Sequence, residues 1–357
     1  MLASILRRTR SDEHLAPWKN GQVTDSRPSV LIFATGGTIG MRQGSQGLAP
    51  DPDFPMALEQ LAADICARFG ADFRINHLNP PIDSANADAE TAARIARAVR
   101  ARVRTRPVRG VVITHGTDTL AYVGARLAFE FDGLGAPVVL TGSQLPHGAQ
   151  DSDAPANLAL AIRTALRAAP NAPTSIAFGG AIVPAVRATK YQAEDQRAFR
   201  AERPLGPAAS GVSAALRQSA DRLAPARVIS FRFTPGVTAA DLRGAVAGEP
   251  DGLVLECYGS GNAPMGRPGM AEALREITAR IPVIAVTQCA TGSVEQARYA
   301  VGSELAATGV LDGADMTLEA ALAKLAFALD AGLTGSPLDS LLRLNLVGER
   351  GTRHSGA

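Results

Sequence analysis

The sequence predicts an α/β protein of two doubly wound parallel-sheet domains, a larger N-terminal one and a smaller C-terminal one, joined by a linker. Three observations lead there. Apolar, mostly β-branched runs such as Val30-Leu31-Ile32-Phe33 and Val111-Val112-Ile113 have the composition of parallel strands buried on both faces. Such runs alternate along the chain with stretches of helical period. The alternation is broken by a segment rich in Pro, Gly and Ala, from Pro204 to Pro225, which reads as an interdomain linker.

Taken in order, residues 1–28 are polar, lack periodicity and end in Arg27-Pro28, as a flexible extension does. The first domain, 29–203, carries expected strands at 30–35, 72–78, 109–114, 137–141 and 175–182, with helices at 54–69, 86–105, 119–132 and 153–168. Its helix from about Asp88 to Thr105 sets Ala92, Ile95, Ala96 and Val99 on one face and arginines on the other. Strand–helix alternation of this kind implies a parallel sheet with right-handed crossovers. After the linker, 204–225, a second domain over 226–346 has expected strands near 227–233, 252–256 and 282–287. Its helices are expected near 238–247, 270–279, 300–308 and 317–330, and Leu338 to Leu346 has the spacing of a docked terminal helix. Residues 347–357 form a tail, expected to fray from Gly348.

Composition limits the function. With 357 residues, 46% hydrophobic and 20% charged, the chain has material for two ordinary globular cores. A net charge of +2 gives no support to a nucleic-acid or membrane-surface partner. No apolar stretch approaches the ~20 residues that span a bilayer. The start, Met1 to Arg8, places its basic residues after a short apolar run, the reverse of a secretion signal. Cys66, Cys257 and Cys289 are sparse and lack metal-ligand spacing, so a cytoplasmic protein with free thiols, no metal and no cofactor is expected.

Of the 36 basic residues only Lys19, Lys190 and Lys324 are lysines. An amine kept against such a preference for arginine can do what a guanidinium cannot, which is titrate. Lys190 lies in a polar stretch after an expected strand, Lys324 falls in a helical pattern, and Lys19 belongs to the solvated extension.

Two segments carry chemistry: Thr35-Gly36-Gly37-Thr38-Ile39-Gly40 and Thr114-His115-Gly116-Thr117-Asp118-Thr119. Each follows an expected strand, and ligands of open α/β sheets bind where strands end. Threonine hydroxyls and a carboxylate therefore meet at one crevice. Hydroxyls on glycine-rich loops, with neither a serine elbow nor metal ligands, point to threonine-based nucleophilic chemistry. Plainer roles exist for the same residues. Gly-Gly-Thr suits a tight turn with Thr38 as a cap, and Thr117, Asp118 and Thr119 all suit the start of the helix from Leu120. His115 reads as a hydrogen-bonded structural histidine more readily than as a base. The first segment has neither the spacing of a dinucleotide fingerprint nor the Gly-Lys-Ser/Thr of a phosphate loop.

These segments, with Thr141-Gly-Ser-Gln144, Cys257-Tyr-Gly-Ser-Gly-Asn-Ala-Pro264, Thr287-Gln-Cys289 and Gly313-Ala-Asp-Met-Thr317, give a chain that resembles the bacterial type I, cytoplasmic L-asparaginases. The resemblance runs from Ser29 to about Leu346 and implies the asparaginase-like fold of two α/β domains. It further implies a homodimer or homotetramer in which one crevice draws on two subunits. By the resemblance, Thr38 is the nucleophile that attacks a side-chain amide, and Thr117, Asp118 and Lys190 form a second hydroxyl–carboxylate–amine set. Asp118 would also bind the substrate's α-ammonium, and backbone N–H groups at Gly116 and Thr117 would stabilise the oxyanion. Asp83 and Ser84 match the loop that grips the α-carboxylate end. Asn262 matches a residue brought toward the site by a partner subunit. The implied substrate is a small amide such as L-asparagine.

Two positions depart from the family pattern. The loop Gln46-Gly47-Leu48-Ala49-Pro50 has leucine where type I enzymes usually carry a tyrosine, and leucine cannot accept or relay a proton. Glu256 stands where some members have an arginine that helps to hold an effector amino acid, so the charge there is reversed. The expected activity is amide hydrolysis through a threonine acyl-enzyme. The alternatives are a weakly active or non-catalytic paralogue that binds an amino acid, and an amidase for a more specialised amide.

Overall fold

The computed structural model describes residues 27–209, 211–219, 225–295 and 300–351. The expected extension 1–28 lies almost entirely outside them, as does the end of the tail. The chain divides into two compact units, with the division between Arg200 and Ala201.

In the first unit, strand β1 (Ser29–Gly36) is followed by a short 3-10 turn, Thr38–Gly40, and a hairpin of β2 (Met41–Gly44) and β3 (Gly47–Pro50). Helix α1 (Phe54–Arg68), β4 (Asp72–Ile82), α2 (Thr91–Thr105), β5 (Gly110–Thr114), α3 (Leu120–Phe131), β6 (Val138–Thr141) and α4 (Ala154–Arg167) alternate as expected. Then come β7 (Ser175–Phe178), β8 (Ala181–Pro184) and a two-stranded ribbon of β9 (Thr189–Lys190) with β10 (Phe199–Arg200). The main sheet runs β4-β1-β5-β6-β7-β8.

Its pleat shows why the strands read as unbroken apolar runs. Leu31, Phe33, Val111, Ile113, Val138 and Leu140 point to one face, where they pack with Ile95 and Val99 of α2 and Leu120 and Leu127 of α3. The alternate residues Val30, Ile32, Val112 and Val139 point to the other, against Leu58 and Ile65 of α1 and Leu158 and Ile162 of α4. Both faces are covered by helices, which is why the middles of these strands carry apolar side chains on both sides. Three local expectations change. The strand expected at 175–182 is two antiparallel strands, β7 and β8, because Gly179 and Gly180 adopt positive φ and turn the chain. The sheet is accordingly parallel except at this edge. Helix α2 starts at Thr91 rather than 86: residues 84–86 form a 3-10 turn, and Asp88 takes the Thr91 hydroxyl at 2.8 Å. The hairpin 41–50 is a third element, expected only as a loop.

The second unit contains α5 (Val212–Ser219), β11 (Val228–Arg232), α6 (Ala239–Ala245), β12 (Gly252–Cys257), α7 (Met270–Thr278) and β13 (Val283–Thr287). The chain continues through α8 (Ala300–Ala306), β14 (Leu311–Asp312), α9 (Leu318–Asp330) and α10 (Gly335–Arg343). A parallel sheet in the order β11-β12-β13-β14 packs Leu253, Leu255, Val283 and Ala285 against Leu242 of α6 and Leu274 and Ile277 of α7. Helix α9 lies so close to β12 that a Cβ on Gly252 would stand 2.8 Å from Leu325.

The ends of this unit differ from expectation. The expected linker 204–225 carries the helix α5, and its first part is bound to the C-terminal turn: Gly206 donates to the Gly348 carbonyl at 3.1 Å and Ala209 to that of Asn345 at 2.8 Å. The tail does not fray at Gly348. Glu349 is fully buried beside a fully buried Lys324, 2.7 Å away, and accepts backbone N–H groups of Leu346 and Val347. A buried ion pair with its remaining lone pairs filled anchors the chain where composition alone suggests a loose end.

Candidate active site

The site residues of the first unit come from the carboxyl ends of neighbouring strands. β1 and β5 pair in parallel with Ala34 opposite Thr114, and β5 pairs with β6 with Thr114 opposite Thr141. The loops leaving them must therefore run side by side. Glycine permits the approach. Gly37 has φ 90°, and a Cβ there would stand 2.4 Å from the Gly116 nitrogen, so the Thr38 turn and the Gly116–Thr117 turn touch backbone to backbone. A Cβ on Gly116 would in turn meet Ser84 Oγ at 2.4 Å. Ser84 is buried against this turn, while Asp83 is exposed and spends its carboxylate on Ala85 N and Asn86 Nδ2 of its own loop, at 3.2 and 3.1 Å.

Thr38 opens the 3-10 turn with Gly37, not itself, at the cap position. Its capping role is therefore not taken up. Thr117, Asp118 and Lys190 meet: Lys190 Nζ donates to Thr117 Oγ1 at 2.9 Å and to Asp118 Oδ1 at 3.0 Å. Lys190 reaches them from the ribbon, where it pairs with Phe199. Thr117 is buried, whereas the Asp118 side chain is 62% exposed and faces open solvent.

Several participants were not singled out as site residues from the sequence. Gln144, on the loop after β6, accepts from Thr117 Oγ1 at 3.3 Å and donates to the carbonyls of Ala193 and Asp195 at 2.9 and 3.1 Å. It thus ties Thr117 to the ribbon that carries Lys190. Asp153 fixes the Gln144 loop by accepting its backbone N–H and that of Leu145, each at 3.0 Å. The signal was present in Thr141-Gly-Ser-Gln144, a third strand end. What the sequence lacked was the neighbour relation between the strands.

His115 is fully buried, and burial pushes its imidazole down to about 4, so it is neutral near pH 7. Thr35 Oγ1 gives its proton to the Thr114 carbonyl at 2.8 Å and lies 2.7 Å from His115 Nδ1. His115 Nε2 lies 3.2 Å from the Thr119 hydroxyl, which donates to the Ser84 carbonyl at 2.9 Å. Thr119 makes no side-chain cap on α3; its hydroxyl serves the Ser84 loop instead. His115 is structural, holding β1, β5 and the Ser84 loop together.

Leu48 sits on β3 opposite Gln43, 47% exposed. Tyr191, the tyrosine beside Lys190, lies with its ring under the Arg200 guanidinium, 4.0 Å from centroid to carbon. In the second unit Asn262 is half-buried and pairs with Tyr258 through backbone N–H groups at 2.8 and 2.9 Å. Glu256 pairs across the sheet with Arg232 at 3.2 Å, which gives the reversed charge a partner on its own sheet. Among the described residues no cluster of His, Cys, Asp or Glu could hold a metal ion, and no helix is long and apolar enough to cross a membrane.

Residues 29–220 match the family model described as asparaginase, N-terminal, and residues 227–341 match the glutaminase/asparaginase C-terminal domain. The chain belongs to the asparaginase family. It is 32% identical over 340 residues to L-asparaginase 1 of Escherichia coli K12, covering 90% of this chain and 98% of that protein. The thermostable L-asparaginase of Thermococcus kodakarensis has a similar structure, with TM-score 0.74 and 31% identity over 91% of this chain and 99% of the other. L-asparaginase I of Vibrio cholerae gives TM-score 0.74 at 28% identity, over 92% and 100%. The two parallel-sheet units are the asparaginase fold.

Proposed function

We propose that this protein is an amidohydrolase that converts the side-chain amide of L-asparagine to the acid and ammonia, with Thr38 as nucleophile. The observation that carries this reading is the contact of Lys190 Nζ with both Thr117 Oγ1 and Asp118 Oδ1, on a turn packed against the turn of Thr38. A hydroxyl needs a nearby relay to attack at neutral pH, and a lysine amine that can shed its proton supplies one.

In this mechanism Thr38 Oγ attacks the amide carbon and its proton passes to the leaving nitrogen through the Thr117–Lys190 pair. The C–N bond breaks, ammonia leaves, and an ester to Thr38 remains. Water then attacks the ester, the C–O bond to Thr38 breaks, and a water proton restores the hydroxyl. The Gly116 and Thr117 N–H groups stabilise the oxyanion of both steps, an effect of about 3 kcal/mol per good donor. Asp118, open to solvent, takes the substrate's α-ammonium, while the loop of Asp83 and Ser84 receives its carboxylate end. Asn262 would come from a second subunit of a homodimer or homotetramer. The three free thiols support a cytoplasmic setting.

The half-exposed Leu48 favours a second reading, hydrolysis of a more apolar amide. Ammonia release from L-asparagine, L-glutamine and a panel of small amides decides between them. Thr38→Ala is expected to lower turnover at least ~10³-fold and to leave stability within about 1 kcal/mol. Retained turnover in Thr38→Ala transfers the nucleophile to Thr117.

A further inference from the structure

We propose that His147 is a positioning residue for Thr38, an inference that rests on the amidohydrolase reading above. The turn bearing the nucleophile is a single 3-10 turn of three residues, Thr38–Gly40, in which Gly40 N donates to the Gly37 carbonyl at 3.0 Å and Met41 N to the Thr38 carbonyl. So short an element has little rigidity of its own. It is held from outside at two carbonyls: Gly40 O accepts from Asp51 N at 2.9 Å, while Ile39 O, nearer the nucleophile, receives the backbone N–H of His147 at 3.3 Å and lies 3.2 Å from His147 Nδ1, which has to be protonated to donate there. The imidazole also packs on Phe54, with ring centroids 5.3 Å apart. Phe54 in turn supports Gly40 closely enough that a Cβ there would stand 2.8 Å from its ring. One side chain thus braces the Ile39–Gly40 peptide, one residue beyond Thr38, and the ring beneath the end of the turn.

The loop that carries His147 gives this brace its meaning. Three residues earlier Gln144 accepts the Thr117 hydroxyl proton, and Asp153 pins the loop between them through two backbone N–H groups. Gln144 and His147 therefore set the two threonine turns from one rigid piece of chain. Nucleophilic attack is sensitive to misplacement on the ångström scale, so loss of the Nδ1 bond should slow the chemical step without weakening substrate binding.

Two substitutions separate the bond from the packing. His147→Phe keeps a ring against Phe54 and removes the donor, while His147→Asn places an amide N–H near the position of Nδ1. With L-asparagine, His147→Phe is expected to lower kcat about 10- to 100-fold with KM within about twofold, and His147→Asn to recover most of the loss. Amide hydrogen exchange over residues 37–41 is expected to quicken in His147→Phe and to return toward the wild-type rate in His147→Asn. Wild-type kcat in His147→Phe overturns the proposal, as does an equal fall in both variants. If the wild-type protein releases no ammonia from any amide, the functional reading fails instead, and exchange alone then decides: unchanged exchange in His147→Phe refutes the brace.

Discussion

Lys190 and Lys324 are the two lysines of the described chain, and they occupy opposite environments. Lys190 keeps about one fifth of its side chain in solvent and meets a hydroxyl and an exposed carboxylate. Lys324 is sealed: it touches Glu349 at 2.7 Å and the Leu342 carbonyl at 3.0 Å, with no exposed surface. Burial pushes its ammonium down to about 8, although Glu349 works against the shift. An amine was kept at both places for different reasons. At 190 the geometry sets the amine against the Thr117 hydroxyl and the Asp118 carboxylate at a partly open surface. At 324 a compact charge fits a closed cage of acceptors that a planar guanidinium would not fill. Rarity of a residue type therefore flags a special environment without saying which kind.

The largest effect that can break this comparison is on stability. Lys324→Met leaves Glu349 buried without its partner and is expected to cost about 3–5 kcal/mol, read by denaturant unfolding, with turnover per folded molecule unchanged. Lys324→Met combined with Glu349→Gln should recover a large part of that loss. If the single variant is as stable as the wild type, the C-terminal turn is not held by this pair.

Lys190→Arg is the mirror experiment. It keeps the charge beside Asp118 and removes the amine that can titrate, so kcat is expected to fall at least ~10²-fold while unfolding stays within about 0.5 kcal/mol of wild type. Unchanged kcat would reduce Lys190 to a counter-charge for Asp118.

The pH dependence of stability sharpens the contrast between the two units. His115 drops from 6.5 to about 4 in the folded chain, so between those values the unfolded state binds more protons and stability rises with pH. A His115→Asn variant should flatten that rise. Lys324 drops from 10.5 to about 8, so by the same sign stability rises between about 8 and 10.5, and the Lys324→Met/Glu349→Gln variant should lack that rise. Thermal melting across pH 4 to 10.5 in the three proteins checks both windows.

The smallest expected effect lies on the hairpin. Leu48→Tyr supplies a hydroxyl to β3 and is expected to raise kcat/KM for L-asparagine several-fold, because it adds a group that can relay a proton. Measured beside the best amide of the panel, a fall instead of a rise places Leu48 against a more apolar substrate, where one leucine contributes about 1.5–3 kcal/mol.

Much of this molecule was legible in its sequence. The β-branched runs named the central strands of both sheets because strands covered on both faces admit few other residues, whereas the short edge strand β14 and the separate edge strand β8 were not foreseen. The two glycine-rich threonine segments marked loops at strand ends, and Thr38, Thr117, Asp118 and Lys190 were singled out by type, place and family resemblance. Their partners were not. Gln144 and His147 became meaningful only once β1, β5 and β6 were known to lie side by side, since strand order is a non-local property that no window of sequence contains. The same holds at the C-terminus, where a polar run after Gly348 has the composition of a loose end. Glu349 is buried there because a lysine one helix away gives its charge a partner. Local chemistry fixed which residues could act, and the packing of distant segments decided which of them meet.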